Sequence, residues 1–426
     1  MAGGAGRAAV ALAVLILIAV LLSEDRRAIR PRVVLAALAT QVAIGALVLF
    51  VPWGRMSLLA AAAAVQWVVD YGAKGSAFVF GPLVGAKMQG VFGEGFVFAF
   101  QVLPAIIYVT SLIAVLYHLG VMRWVITVLG YVFHKLLGVT RLESFSAVST
   151  IFLGQSEMPA VLKPFAGELR GPQLFAVMTS GMAAVAGSTL AGYAGLGVPL
   201  PYLLAASIMA VPGGLLFAKL ICPGGVAGEL RLSQVSFEEH PAANVIEAAA
   251  QGAAVGLRVA LNVAAMLIAF ISLIALLDGG VGLLAAAFSW HGVSLQSALG
   301  WLFAPLAYLL GVPWRDSGIA GSLIAQKLLL NEFVGYASFA PYLKAPAALA
   351  AAGLPQLADR TIVIVSFALC GFANLSSIAI LAGAFGAVAP ELRAPVARYG
   401  LRVVAAASLS NFASAAIAGC MLSGAS

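Results

Sequence analysis

A long apolar region of this chain is interrupted by the ten residues Thr150-Ile-Phe-Leu-Gly-Gln-Ser-Glu-Met-Pro159. They place an amide, a hydroxyl and a carboxylate between a glycine and a proline. A charge at the centre of a bilayer costs about 2.5–3.5 kcal/mol even on lenient insertion scales, so it persists where it lines a cavity or has a partner. Irregular backbone at that depth is tolerated only inside protein or beside water. The stretch therefore predicts a segment that turns back within a membrane and carries a binding site.

The composition of the whole chain supports a membrane protein. Of its 426 residues, 62% are hydrophobic and only 9% are charged, and the mean hydropathy is +1.06. A soluble domain carries about 25% charged residues, so this chain could not cover its surface with polar groups. The three cysteines show no metal-ligand or disulfide spacing, and no cofactor is expected.

The distribution of charge predicts orientation and excludes one class of partner. The net charge is +7, but the basic residues are scattered through short loops without interleaved aromatic residues, which argues against nucleic-acid binding. The densest basic loop, Ser23–Arg32, belongs in the cytoplasm by the positive-inside rule. We therefore expect a multi-pass protein of the cell (inner) membrane, in contact with the lipid bilayer.

Apolar runs long enough for about 30 Å of hydrocarbon predict about eight transmembrane helices. The first resembles a signal peptide, but no convincing cleavage site follows it, so it is interpreted as a retained helix. Two amphipathic stretches, Met56–Phe80 and Val121–Leu137, are predicted to lie at the membrane interface. The predicted spans are Ala8–Leu22, Val33–Val51, Phe96–Tyr117, Leu174–Tyr193, Pro199–Lys219, Val245–Leu277, Thr361–Val388 and Leu401–Leu422.

The two halves of the chain repeat one pattern. Glu143–Leu169 and Ile319–Tyr336 both predict re-entrant helical hairpins that contain a glutamate. A helix rich in small residues follows the first hairpin, and a helix interrupted at Gly371–Ser377 follows the second. Paired interruptions at corresponding positions indicate the midplane site of a transporter. The fold class predicted is an all-α polytopic membrane protein with two re-entrant hairpins, interfacial helices and an internal repeat.

This pattern divides the chain into six regions. They are the N-terminal transmembrane helices, an interfacial region, a scaffold helix, a first transport repeat, a polar loop with a long scaffold helix, and a second transport repeat. The respective bounds are residues 1–53, 54–95, 96–120, 121–227, 228–297 and 298–426.

Three motifs, Gly154–Glu157, Asn331–Phe333 and Gly371–Ser377, resemble those of the concentrative nucleoside transporter family, and the likeness covers roughly residues 90–422. The resemblance implies a homotrimer in which a transport domain moves like an elevator against a scaffold. It also implies which residues bind substrate. The nucleobase would be held by Gln155, Ser156, Glu157 and Thr189, and the ribose by Glu332, Asn374 and Ser377, with Phe372 against the substrate.

The chemistry of these side chains agrees with a nucleoside. A glutamine amide meets the neighbouring donors and acceptors of a nucleobase edge, while ribose hydroxyls suit a carboxylate and an amide. Two alternatives remain open. Glu157 and Glu332 could be structural partners of Lys327 or Arg258, and Phe372 could simply be packing.

The coupling cation is where the chain departs from the sodium-driven members it resembles. Those members place Asn four residues before the hairpin glycine and Ser or Thr in the next helix, whereas this chain has Thr150 and Ala184. A hard cation needs several oxygen ligands, and Ala184 offers only its carbonyl. Thr150, together with the carbonyls of Leu153 and Val185, could form a weak Na⁺ site. We favour H⁺ over Na⁺, carried by Glu157 or Glu332.

The favoured function is a secondary active nucleoside:cation symporter that imports uridine-like nucleosides. A membrane-embedded enzyme acting on a lipid or isoprenoid substrate is the alternative, because two buried glutamates could serve as acid and base. Such enzymes show metal-binding or phosphate-binding carboxylate clusters, which the sequence lacks, so no enzymatic activity is expected.

Overall fold

The structure is a computed structural model that describes residues 2–85, 88, 97–169, 171–224, 242–287 and 294–422. This part of the chain is built of helices and contains no β-strand, so the predicted all-α class is confirmed. Residues 228–241 of the predicted polar loop lie outside the described residues.

The helices follow the predicted apolar runs with shifted ends. They are α1 (Ala2–Leu21), α2 (Pro31–Gly45), α3 (Pro52–Asp70), α4 (Gly72–Phe80), α5 (Phe98–Gln101), α6 (Leu103–His118), α7 (Val121–Leu137), α8 (Arg141–Ser149), α9 (Met158–Val161), α10 (Pro172–Ala183), α11 (Gly187–Gly195), α12 (Leu200–Ile221), α13 (Val245–Ala287), α14 (Leu295–Leu310), α15 (Trp314–Leu329), α16 (Glu332–Phe339), α17 (Pro346–Ala351), α18 (Asp359–Leu369), α19 (Ser376–Val388) and α20 (Arg393–Leu422). A π-helical segment extends α2 over Ala46–Phe50, and 3-10 turns lie at Arg26–Ala28, Gly81–Val84, Lys163–Glu168, Ala340–Leu343 and Pro390–Leu392.

By length and composition, seven helices of the described residues can cross a membrane, or eight if one bent pair counts as a span. Pro52–Val84 is among them, although the sequence predicted an interfacial helix over most of that range. Its apolar residues continue across the Asp70–Lys74 charges, so the polar break is too short to end the helical stretch.

The first hairpin begins at a capping box. The backbone N–H of Glu143 donates to Thr140 Oγ1 (3.2 Å), and the N–H of Thr140 donates to Glu143 Oε2 (3.1 Å). These bonds satisfy orphan donors at the start of α8. The helix ends at Ser149, the chain turns through Gly154, and α9 begins immediately after Glu157. The hairpin predicted from the opening motif is therefore present as two short helices and a turn.

The second hairpin repeats this arrangement. It is formed by α15 and α16, and α15 ends at Leu329. The preceding helix α14 meets α15 at a bend of 113°. The side chain of Asn331 then caps α16 by accepting a hydrogen bond from the N–H of Val334 (2.9 Å). This cap satisfies a backbone N–H in the first turn of α16, so the helix can begin directly at Glu332.

Each hairpin is followed by a broken helix. The break after the second hairpin, Cys370–Leu375 between α18 and α19, was predicted from its glycine and polar residues. The predicted span Leu174–Tyr193 is present within the candidate span Pro172–Gly195, but its helix has a break that the sequence analysis did not predict. The chain leaves the helix at Ala184 with extended backbone and re-enters it at Gly187. The break, Ala184-Val-Ala186, contains no glycine, proline or polar residue, so composition alone could not locate it.

The helices differ sharply in burial. Helices α10, α12 and α20 are almost wholly buried, whereas α13 exposes most of its side chains and α6 is mostly half-buried. Helices α6 and α13 pack chiefly against each other. Two glycines of α13 permit that packing. A Cβ at Gly252 would lie 2.8 Å from Ser111 Cα, and one at Gly256 would lie 2.7 Å from Ile107 Cα. Helices α6 and α13 thus form a close pair through a small-xxx-small motif.

Candidate functional site

Glu332 is the centre of a buried hydrogen-bonded network. Its Oε1 accepts from the hydroxyl of Tyr193 (3.1 Å), and its Oε2 accepts from Asn374 Nδ2 (3.0 Å). The carboxylate stands at the start of α16, where the helix dipole favours a negative charge. Only 4% of Glu332 is exposed, so these contacts replace most of the water that a carboxylate would otherwise bind.

Asn374 holds the second break in a tight turn. Its Oδ1 accepts from the hydroxyl of Ser376 (2.7 Å) and from the N–H of Ser377 (2.9 Å). With Oδ1 so engaged, its Nδ2 is oriented toward Glu332. Asn374 therefore both caps α19 and orients the glutamate.

Gln155 brings the first hairpin to the same place. Its Nε2 donates to Ser377 Oγ (2.7 Å), across 222 residues of sequence. Its Oε1 is buried and has no hydrogen-bond partner within the described residues. A buried unpaired acceptor costs about 1–3 kcal/mol, which makes it a candidate ligand contact. One chain of contacts thus runs from Gln155 through Ser377, Asn374 and Glu332 to Tyr193.

Asn411 of α20 joins the two helix breaks. Its Nδ2 donates to the carbonyl of Ala183 (2.7 Å) at the first break and to that of Cys370 (2.9 Å) at the second. Its Oδ1 accepts from Nζ of the fully buried Lys327 (2.9 Å). These two carbonyls end helices and carry partial negative charge, so the amide and the ammonium offset it.

The backbone also joins the breaks directly. The N–H of Phe372 donates to the carbonyl of Ala184 (3.4 Å). Phe372 itself is 9% exposed, so its ring lies largely within the protein while its backbone contacts the first break. The two breaks are therefore in direct contact through a backbone hydrogen bond.

Ser156 and Glu157 lie apart from this network. Both line a cavity of about 630 Å³ between the tip of the first hairpin and the α6–α13 pair. Ser156 is exposed and Glu157 is half-buried there. The structure thus separates two predicted base contacts from the residues around Glu332, with Gln155 between the two groups.

Thr189 and the predicted cation ligands lie near the first break. The Thr189 hydroxyl donates to the carbonyl of Ala186 (2.7 Å). The Thr150 hydroxyl donates to the carbonyl of Ala147 (2.7 Å) and lies 3.4 Å from that of Ser180. Leu153 and Val185 are buried nearby in the chain. No cluster of three His, Cys, Asp or Glu side chains suited to a metal occurs among the described residues.

The alternative of structural partners is supported only at longer range, because the charges of Lys327 and Glu332 interact without a direct ion pair among the described residues. In the described part of the chain, ion pairs join Lys219 to Glu143, Arg315 to Asp316 and Arg402 to Glu24. Neither Glu157 nor Glu332 belongs to one of them. Lys327 instead bonds to Asn411.

Two residues of the network were not predicted as site residues. Tyr193 contacts Glu332 across 139 residues, and Asn411 reaches both breaks from the last helix. The only sequence signal for Asn411 was an amide inside an apolar span. A tyrosine at the end of a helix rich in small residues gives no signal that separates binding from packing.

Comparison with known proteins shows which protein family has this sequence and architecture. The sequence matches the families described as "Na+ dependent nucleoside transporter N-terminus" over residues 10–83, "Nucleoside recognition" over residues 99–200 and "Na+ dependent nucleoside transporter C-terminus" over residues 202–419. It is 46% identical to the nucleoside permease NupC of Helicobacter pylori, covering 96% of each chain. It is 33% identical to human sodium/nucleoside cotransporter 1, covering 93% of this chain and 61% of that protein.

Solved structures are similar over nearly the whole chain. CNTnw in an inward-facing substrate-bound state has 51% sequence identity and a TM-score of 0.90, with 98% of both chains covered. A CNTnw variant in an outward-facing state has 50% identity and a TM-score of 0.92.

Helical hairpins, paired breaks and a buried polar network define a multi-pass membrane transporter of nucleosides. The chain belongs to the concentrative nucleoside transporter family. Its relatives are transporters, which argues against the alternative of a lipid-modifying enzyme. Its bacterial relatives agree with the predicted location in the cell inner membrane.

Proposed function

We propose that this protein is a secondary active symporter that imports uridine-like nucleosides together with a cation. The observation that carries the proposal is the chain of hydrogen bonds from Gln155 to Tyr193, because it collects polar groups from both hairpins and both broken helices. A site shared by two repeats at their helix breaks is typical of secondary transporters.

The two ends of this network suit the two parts of a nucleoside. Glu332 and Asn374 offer a carboxylate and an amide to the ribose hydroxyls, with Ser377 beside them. Gln155 offers its unpaired Oε1 to the nucleobase, and its contact with Ser377 sets the distance between the two subsites.

The remaining predicted contacts complete the proposed binding site. Ser156 and Glu157 approach the base from the cavity at the first hairpin, and Thr189 stands on the helix that follows. Phe372, held over the first break by its backbone, packs against the substrate.

We propose H⁺ rather than Na⁺ as the coupling cation. The family description names sodium, but Ala184 brings no side-chain oxygen to the site. The carbonyls of Thr150, Leu153 and Val185, together with the Thr150 hydroxyl, leave a hard cation short of ligands. Glu157 or Glu332 would carry the proton.

The proposed mechanism is an elevator within a homotrimer. Helices α6 and α13 pack chiefly on each other, as expected of a scaffold, while the buried helices around α10, α12 and α20 hold both breaks as one transport body. The exposed apolar side chains of α13, such as Ile268 and Leu276, suit contact with lipid or with partner scaffolds.

Uptake of labelled uridine into proteoliposomes tests the proposal. We expect accumulation driven by an inward proton gradient and little change when Na⁺ is replaced by choline. The double variant Thr150→Asn, Ala184→Ser restores side-chain oxygens and should increase the dependence on Na⁺.

Each possible result bears on a different part of the proposal. Uptake that requires Na⁺ and ignores the proton gradient would overturn the choice of cation but leave nucleoside transport standing. An absence of uridine counterflow in the same vesicles would overturn the substrate.

A further inference from the structure

Helix α7 has the character of a helix that lies in a membrane interface. One face is buried against the protein, with Ile126 and Phe133 among its residues. The opposite face exposes Trp124 (68%) and Tyr131 (53%) together with aliphatic side chains. Aromatic residues with polar edges collect at the level of lipid headgroups, so this exposed face meets lipid and not bulk water.

A groove separates α7 from the start of the first hairpin. Its volume is about 410 Å³, and its lining is almost entirely hydrocarbon. Helices α7 and α8 approach closely where Gly130 meets the backbone of Phe145, and the groove lies beside this contact. It is lined by Thr127, Val128, Gly130, Tyr131, Val132, Arg141, Ser144 and Phe145.

One cation, Arg141, lines this otherwise apolar groove. Arg141 is exposed and forms no ion pair within 4.0 Å among the described residues. Lys135 adds a second cation near the groove, with Nζ 5.7 Å from the centroid of the ring of Tyr131, which lines it. The carboxylate next in sequence, Glu143, faces away and is bonded to Lys219 (2.5 Å). Among the described residues that line the groove, none is Asp or Glu.

The second repeat provides a natural contrast. Arg315 lines a groove of about 560 Å³ between α14 and α15, just as Arg141 lines the groove between α7 and α8. Arg315 is paired with Asp316 (3.0 Å), and it also donates to the carbonyl of Gln356 (3.3 Å). Its charge is compensated by the protein, whereas that of Arg141 is not.

The groove lies on the same side of the protein as the basic first loop. A small cleft is lined jointly by Ala28 and Arg30 of that loop and by Thr140, which precedes Arg141. This is the face predicted to be cytoplasmic, and the cytoplasmic leaflet of membranes is rich in anionic lipid.

We propose that the groove between α7 and α8 binds one anionic phospholipid. An acyl chain lies along Val128 and Phe145, and the phosphate pairs with Arg141 while Lys135 adds positive charge. A bidentate guanidinium is suited to phosphate oxygens. The lipid would fasten the first hairpin to the membrane interface through α7.

Native mass spectrometry of the purified full-length protein, titrated with phosphatidylglycerol or phosphatidylcholine of matched chains, tests this site. We expect one phosphatidylglycerol per protomer to be retained preferentially. Arg141→Gln should weaken that binding about fivefold, the factor that one basic residue contributes near an anionic surface. Arg141→Lys keeps the charge but loses the bidentate geometry, so it should weaken binding less than Arg141→Gln does.

Two further variants keep the test decisive. Arg315→Gln is the matched control and should leave phosphatidylglycerol binding unchanged. Val128→Trp, at an exposed lining position, should fill the groove and lower lipid retention without removing charge, even where Arg141→Gln proves unstable.

Four outcomes would overturn the proposal. Binding by Arg141→Gln within about twofold of the parent would show that the arginine does not hold the lipid. An equal loss in Arg315→Gln would indicate general surface charge. Equal retention of phosphatidylcholine would indicate ordinary annular lipid, and displacement by soluble glycerol phosphate would indicate a free-phosphate site.

Discussion

Glu332 accepts hydrogen bonds from two neutral side chains, Tyr193 and Asn374, and no cation of the described residues lies within 4.0 Å of it. In the proposed site, the free lone pairs of this buried carboxylate would accept from a ligand hydroxyl. Glu332→Ala should weaken uridine binding about ten- to hundredfold, because ribose hydroxyls left unpaired in a desolvated site cost about 1–3 kcal/mol. Isothermal titration calorimetry of the purified variant measures this.

Glu391→Ala is the matched control for Glu332→Ala. Glu391 is exposed in the 3-10 turn before α20, so its removal should leave uridine affinity unchanged. If Glu332→Ala binds uridine within about twofold of the parent, the ribose assignment is wrong.

The site could be predicted as far as its motifs extend. Gln155, Glu332, Asn374 and Ser377 stand in short polar interruptions of apolar sequence, and the structure connects them directly. Contacts between residues far apart in the sequence left no comparable motif. Tyr193 meets Glu332 only because the first broken helix packs beside α16, which no local spacing reveals.

Helix identity was predictable from apolar length, but helix interruptions were predictable only where composition marks them. The break at Cys370–Leu375 contains glycine and polar residues, whereas that at residues 184–186 contains only Ala and Val. Its carbonyls are satisfied by other elements, notably by Asn411 and the N–H of Phe372. Tertiary contacts thus override a locally helical sequence.

The pairing of α13 with α6 depends on close backbone approach at Gly256. A Cβ there would lie 2.7 Å from Ile107 Cα, which forces the helices apart. Gly256→Ala should therefore cost about 1–3 kcal/mol, the usual cost of overpacking. Thermal unfolding of the detergent-solubilised protein, followed by intrinsic fluorescence, should show a lower transition temperature.

Gly279→Ala on the same helix is the control for this change. A Cβ at Gly279 would meet no described residue within 4 Å, so the gain in helix propensity should leave stability unchanged or raise it slightly. A transition temperature for Gly256→Ala that equals that of Gly279→Ala would mean that α6 and α13 tolerate separation.

The orientation of the molecule rests on the exposed turn at Arg26–Ala28. Arg27 is exposed, and its N–H donates to Asp25 (2.9 Å), which fixes the turn outside the helices. The basic bias of this loop predicts that it lies in the cytoplasm. In a Cys420→Ser background, Arg27→Cys should resist an impermeant maleimide in intact cells and react after permeabilisation.

The remaining cysteines should not interfere with this labelling. Cys222 and Cys370 are both buried, so they should contribute little background. Labelling of Arg27→Cys from outside intact cells would invert the assigned topology, and with it the leaflet assigned to the groove at α7.

Asn411 has a thermodynamic consequence beyond holding two carbonyls. The break that carries Ala184 belongs to the proposed cation site, and the break that carries Asn374 belongs to the proposed nucleoside site. Because one amide bonds to both breaks, a ligand that orders one of them lowers the entropic cost of ordering the other. Linkage requires that the benefit be mutual. The cation then raises nucleoside affinity by the same factor as the nucleoside raises cation affinity, whichever cation the protein uses.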